Sequence, residues 1–359
     1  MGAQAESRIV ANRLKRFVRD LFVAADVPDD DATTIADAMI AQEIRGNTTH
    51  GIRMVDFNLR GLAAGRIKAR PNQPILTDHG MTAVIEGDHG VGIVGCMKGM
   101  RHAIRKAGTE GGGIGMTIVV RNNHFTGTTP YTLEAVDAGM VGIAFTNTKG
   151  TMGYPGTNAR AIGNTPIGFG IPTASGDPIL YDACMTISSG KLRQWIRQGQ
   201  SIPDNLQGLD DSGQPTTDPQ AVLVGGTPLP IGGHKGAGLA ILVEVLTGVL
   251  GGAAFLSQIT PRNRKDHLTN KEYAVSHCCI AINIEAFMPS SQFKARMADF
   301  VADLKDNPLA KQTDQIRLPG ERMAQTKREC EAHGILLESD VQQILTGWAE
   351  QLGVPYPQS

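Results

Sequence analysis

Residues 81–145, MTAVIEGDHGVGIVGCMKGMRHAIRKAGTEGGGIGMTIVVRNNHFTGTTPYTLEAVDAGMVGIAF, decide the fold. MTAVIEG, GMTIVV and GMVGIAF are short apolar or β-branched runs bounded by Gly, Asp and Asn, which is how strands read. GCMKGMRHAIRKA separates the first two and PYTLEAVDAG the last two, both with helical spacing. Strands alternating with helices predict an α/β sheet with helical crossovers. The stretch also holds G-x-G-x-x-G at Gly90, Gly92 and Gly95, between a strand and a helix. A dinucleotide fingerprint would need an acidic residue at the end of the next strand, but that strand ends in Arg121-Asn122-Asn123. The glycines therefore read as a tight turn and not as a phosphate cradle.

Outward from this stretch, PILYDA at 178–183 and HCCIAINIE at 277–285 add strands. Residues 6–70 read as three helices. The first has Ile9, Leu14, Phe17 and Phe22 near one face and ends near Val27-Pro28. The second is capped by one of Asp29–Asp31 and turns Ile35, Met39 and Ile40 inward; the third starts near Arg53. The tail returns to helices, the last with a capping box from Ser339 and Gln342. Helices at both ends of a sheet predict that the termini pack together. Residues 201–233 read as a long irregular connector, and Leu239–Leu250 as a buried core helix, too short to cross a bilayer.

The composition excludes several functions. The chain has 359 residues, enough for about two domains, and 41% of them are hydrophobic. Lys+Arg 34 against Asp+Glu 35 gives a charge of −1 and no electrostatic case for nucleic acid or an anionic membrane. Five cysteines (Cys96, Cys184, Cys278, Cys279, Cys330) without C-x-x-C indicate neither a disulfide framework nor a zinc ribbon. The N-terminal stretch has no apolar signal region, so a cytoplasmic location is the expectation. His267 and His277 lie in a polar stretch and read as solvated; no metal spacing occurs.

Four polar clusters break the pattern. Thr48-Thr49-His50-Gly51-Ile52-Arg53 joins two helices and places an imidazole beside a cation, suited to acid–base work next to an anion or to a helix cap. Arg121–Thr128, with His124 and Gly127, follows a strand end, where α/β sheets bind ligands, and reads equally as an Asn-rich turn. Tyr181–Thr186 lies at another strand end and reads also as a capping aspartate with buried Cys and Met. Gly232–Gly238, with His234 and Lys235, precedes a helix and could hold phosphate, although it lacks P-loop spacing.

In this order the clusters resemble the type-2 malate/L-lactate dehydrogenase family along nearly the whole chain. THGIRMVDFNLRGLAAGRI, GMTIVVRNNHFTGTTPY, GMVGIAFTNTKGTMGYPGTNARAIGNTPIGFGIP, PTTDPQAVLVGGTPLPIGGHKGAGLAILVEVLTGVLGGA and LPGERMAQTKRECEAHGI carry the resemblance. It implies an α/β fold with a mixed central sheet, helical terminal segments and a non-Rossmann cofactor-binding domain. Residues 1–75 with 300–359 would form a helical substrate and dimerisation region, and 76–299 an α/β region with the cofactor-binding part at about 122–235. It implies an NAD- or NADP-dependent homodimer that interconverts a small anionic 2-hydroxy acid and its 2-keto acid. His50 falls on the family's proton donor/acceptor, with Thr49 fixing its tautomer. Arg53 is then the nearest carboxylate anchor, and Asn164 touches substrate. Cofactor contacts fall on His124, Phe125, Gly127 and Thr128, and on Leu180, Asp182, Ala183, Cys184 and Met185. The remaining ones are His234, Lys235, Gly320, Glu321 and Arg322.

Departures from the pattern are Thr49 for Ser, Met54 where several members have Arg, and an altered order at Gly163–Pro166. Members that reduce cyclic imines tend to carry Asp near Lys191, and its absence favours hydroxy acids. An NADPH-dependent cyclic imino-acid reductase and a non-catalytic dinucleotide-binding dimer are the competing readings.

Overall fold

The computed structural model describes residues 8–357 except 111, 207 and 261–272; His267 lies outside the described residues. The chain begins with β1 (Arg8–Ile9), α1 (Ala11–Ala24), α2 (Asp29–Glu43) and α3 (Met54–Ala63). Ile9, expected on the first helix, instead pairs with Ile335 in β1. Pro28 occupies the N-cap of α2, so Asp29–Asp31 fill its first turn and favour it through the helix dipole, not as caps.

The central part holds β2 (Ile75–His79), β3 (Thr82–Glu86), α4 (Gly92–Arg105), β4 (Ile114–Asn122), α5 (Thr129–Asp137), β5 (Met140–Thr146), β6 (Ile167–Ile171) and β7 (Ile179–Ala183). Next come α6 (Ser189–Gln198), β8 (Gly208–Leu209), β9 (Pro215–Thr216), α7 (Pro219–Leu223), β10 (Thr227–Pro228), α8 (His234–Glu244) and β11 (Val275–Asn283). The tail is α9 (Ser290–Lys305), α10 (Glu321–His333), β12 (Ile335–Leu336) and α11 (Ser339–Leu352).

The main sheet is mixed, in the order β2-β3-β4-β11-β5-β6-β7. Only β3 and β4 are parallel neighbours, joined by the α4 crossover. β11 is antiparallel to both β4 and β5 and separates them, so those two run in one direction with α5 between them in sequence. The α4–α5 face closes over Cys96, Met100, Tyr131 and Ala135. A separate core joins α1–α3 to Val341 and Leu345 of α11, which packs the two termini together as expected. Gln342 donates to the Leu337 carbonyl at 2.9 Å and Ser339 is already helical, so the capping box does not form.

Residues 201–233 are not simply irregular: β8, β9 and β10 form a small sheet, with α6 and α7 closing over Leu192, Trp195 and Val222. The expected buried helix is a half-buried one. It starts at His234 and runs through a π-helical turn at Val245–Val249, with Leu239, Leu242, Val245 and Val249 all exposed on its outer side. No described helix is long and apolar enough to cross a membrane.

The Gly-x-Gly-x-x-Gly segment turns out to be a packing device. An added Cβ would stand 2.6 Å from Pro71 at Gly90, 2.1 Å from the Asn123 carbonyl at Gly92 and 2.2 Å from Asn122 Nδ2 at Gly95. The glycines let the start of α4 lie against the end of β4 and set the direction of the chain that follows.

Candidate active site

The α2–α3 loop, the turn after β4 and the end of β7 converge on a cavity of about 450 Å³. From the first comes a 3₁₀ turn, Thr48–His50, whose histidine is half-buried at the cavity. Thr49 Oγ1 lies 2.9 Å from His50 Nδ1, within reach to fix its tautomer. The His50 ring stacks on His124 at 5.7 Å. His124 Nδ1 accepts the Thr126 N–H at 3.1 Å, which puts the proton of the neutral ring on Nε2. Thr126 itself has φ 70°, a strained conformation for a β-branched residue at the heart of a site.

Asp182, at the end of β7, reaches the first turn of α5. Its Oδ2 accepts from Thr129 N at 3.0 Å and Thr129 Oγ1 at 2.8 Å, with Gln42 Nε2 at 3.4 Å and Asn47 Nδ2 at 3.5 Å. Burial lowers the His50 pKa below its ordinary value, and the Asp182 charge opposes that shift. Neutral imidazole is thereby favoured, while the carboxylate steadies an imidazolium once it forms.

Behind the cavity wall Phe125 stacks on His277 at 4.8 Å, and His277 Nδ1 lies 2.8 Å from Thr146 Oγ1. His277 is therefore not solvated: it is fully buried in β11, and burial pushes its pKa down to about 3.

The cavity collects Thr49, His50, His124, Phe125, Gly127, Asn164, Asp182, Ala183 and Cys184 of the residues singled out from sequence. Arg53 is not among them. Its guanidinium grips Asp340 at 2.7 and 3.0 Å and Glu338 at 2.8 Å, because the chain after Gly51 turns toward α11. Thr128 and Met185 are buried behind the wall, Met185 donating its N–H to the Asn164 carbonyl at 2.8 Å. His234 and Lys235 are exposed in the first turn of α8 and do not line the cavity.

Leu180 and Gly320 meet elsewhere along β7: Leu180 N–H donates to the Pro319 carbonyl at 3.1 Å. Glu321 lines a second cavity of about 480 Å³ there, whereas Arg322 is exposed and outside it. Sequence reasoning gave Lys191 no site role of its own and missed Trp195, which with it lines the first cavity from α6, and Thr146 and Thr148, which line it from the end of β5 and the residues after it. The signal for α6 was Leu192 and Trp195 at helical spacing behind Ser188, whose side chain caps Lys191 N–H at 3.2 Å.

Comparison with known proteins agrees with this architecture. The family model for malate/L-lactate dehydrogenase matches residues 9–346. A malate dehydrogenase of Pyrococcus abyssi is 32% identical over 355 residues, covering 97% of this chain and 95% of its own length. An L-sulfolactate dehydrogenase of Methanothermobacter thermautotrophicus is 29% identical over 347 residues, 97% of this chain and 98% of its own. Among solved structures, the sulfolactate dehydrogenase of Methanocaldococcus jannaschii superimposes with a TM-score of 0.88 at 29% identity, over 97% of this chain and 98% of that one. The malate dehydrogenase of Entamoeba histolytica gives 0.91 at 26% identity, over 98% and 99%. With its motifs, fold and full-length match in agreement, the chain belongs to the malate/L-lactate dehydrogenase family.

Proposed function

We propose that this protein interconverts a small 2-hydroxy acid and its 2-oxo acid with a nicotinamide dinucleotide, His50 exchanging the hydroxyl proton. The observation that carries the reading is one cavity holding an imidazole, a carboxylate beside it and a lysine. His50 is the acid–base group: neutral, it takes the proton of the 2-hydroxyl; protonated, it returns one to the 2-oxo oxygen. Asp182 holds the charged imidazole, and Thr49 holds its ring. Lys191 replaces Arg53 as the candidate carboxylate anchor, since Arg53 is engaged by Asp340 and Glu338.

The cavities fit a dinucleotide in two parts. Phe125, Pro166, Ile187 and Trp195 give the first an apolar wall for a flat ring, with hydroxyls of Thr146, Thr148 and Ser188 beside it. β7 lines both cavities, through Asp182 and Ala183 at one end and Ile179 at the other. Bound there, a nicotinamide would supply hydride exchange with the carbon bearing the oxygen. Glu321 and Asp177 at the second cavity are already paired with Lys305 and Arg328, so this cavity carries no charge preference between a ribose hydroxyl and a 2′-phosphate, and the reading covers NAD and NADP alike. The exposed stripe Leu239, Leu242, Val245 and Val249 supports a homodimer, and its replacement by charge should give a monomer in light scattering.

The test follows NADH and NADPH oxidation against oxaloacetate, pyruvate, sulfopyruvate and Δ1-piperideine-2-carboxylate, with His50→Ala alongside. Keto-acid turnover that His50→Ala loses is the expected result. Turnover confined to the imine would move the protein to imino-acid reduction. Cofactor binding without turnover would make it a non-catalytic dinucleotide-binding protein.

A further inference from the structure

The last residue of α2 lies directly beneath the loop that carries His50. Glu43 is 6% exposed, and its Oε2 accepts the Ile52 N–H at 2.8 Å. Gly51 rests on the same side chain: a Cβ there would stand 2.2 Å from Oε2 and 3.1 Å from Glu43 Cα. Arg53, which follows Ile52, is clamped by Asp340 and Glu338 at the start of α11. The turn is thus pinned from below by α2 and from the side by α11, and His50 immediately precedes the pinned residues.

We propose that Glu43 is a positioning residue for His50, its carboxylate setting where the imidazole stands over the cavity through the Ile52 amide. The proposal rests on the assignment of proton transfer to His50. An ionised carboxylate accepts an amide proton about twice as strongly as a neutral group, so the charge state of Glu43 sets how firmly the turn is held. Among the described residues three groups face it: Arg53 from the loop, which favours the charge; Glu338 from the start of α11, which opposes it; and the Cys330 thiol of α10. Burial pushes the Glu43 carboxyl up to about 7, with Glu338 adding to the rise and the Ile52 hydrogen bond and Arg53 resisting it. The turn is held more firmly above neutral pH than below it.

Glu43→Gln keeps the volume and an acceptor for Ile52 but does not titrate; Glu43→Ala removes the support. With the 2-oxo acid that turns over fastest, the wild-type kcat profile should show a step near pH 7, where Glu43 titrates, that Glu43→Gln lacks. Glu43→Ala should lose about tenfold or more in kcat with KM altered less than about threefold. In substrate-free protein labelled with 13C-histidine, the His50 ring signal should sense the same titration in wild type and not in Glu43→Gln. Coincident wild-type and Glu43→Gln profiles, in kinetics and in the His50 signal, would overturn the proposal even if Glu43→Ala does not fold. Those coincident profiles with an inactive His50→Ala sink this inference alone. Full turnover by His50→Ala sinks the assignment on which it rests.

Discussion

A Cβ added at Gly127 would stand 2.7 Å from Asp182 Oδ2 and 2.1 Å from Gln42 Nε2. The absence of a side chain at 127 is what lets Asp182 reach Thr129 at the start of α5. Gly127→Ala should displace the carboxylate from beside His50, lowering kcat by about tenfold or more and stability by about 1–3 kcal/mol. Steady-state kinetics and thermal unfolding measure the two effects. Wild-type kcat in a correctly folded Gly127→Ala protein would show that the placement of Asp182 does not govern turnover.

Removing the charge alone separates electrostatics from shape. Asp182 raises the His50 pKa against the lowering by burial, so Asp182→Asn should lower it further. Fewer His50 rings then carry a proton at neutral pH, and 2-oxo acid reduction slows by about tenfold for every pH unit by which the His50 pKa falls. The inflection in kcat/KM for reduction should move to lower pH, while oxidation of the 2-hydroxy acid at high pH changes less. An unmoved inflection would detach Asp182 from His50.

Arg53 and Lys191 make opposite predictions. The Arg53 side chain is 32% exposed and tied to two carboxylates, so Arg53→Ala should cost less than about 1 kcal/mol in stability. KM for the 2-oxo acid should stay within about twofold, with a modest fall in kcat as the His50 turn loses one of its pins. Lys191→Met should raise that KM by about tenfold or more, the worth of one hydrogen bond to a charged group. The reverse pattern would return the carboxylate to Arg53.

The legible parts of the fold were those with continuous apolar runs. β3, β4 and β5 are such runs, and the helices between them carry the right period. β6 escaped because Gly168 and Gly170 interrupt its pattern, glycines that make room for Thr128 and Thr132 of the α5 region. β2 escaped because all five of its residues are exposed at a sheet edge. No local pattern could announce that β11 inserts between β4 and β5, since pairing across that distance is set by the whole sheet. The polar clusters at His50, His124 and Asp182 were legible as breaks in the pattern, and the fold brings all three to one cavity. Arg53 lies outside that cavity, paired with Glu338 and Asp340, because nearness in sequence does not fix the direction in which a loop residue points.

Glu244 is the one charged residue between 236 and 256, and it is 4% exposed. Its Oε2 accepts the Leu256 N–H at 3.3 Å, while Oε1 is buried without a hydrogen-bond partner among the described residues. Burial raises its pKa from 4.5 to about 7, so the folded protein holds this proton more tightly than the unfolded chain does. The stabilisation is fully present below 4.5 and is lost as pH rises to about 7, with a maximum cost of about 3 kcal/mol above that. Glu244→Gln removes the titration. His277, whose pKa is lowered, acts in the opposite sense below its ordinary 6.5 but is common to both proteins and cancels. The variant should therefore gain stability over wild type between pH 5 and pH 8, its advantage growing by up to about 3 kcal/mol. Urea unfolding of both proteins across that range measures the difference, and a pH-independent difference would show that Glu244 is charged in the fold throughout.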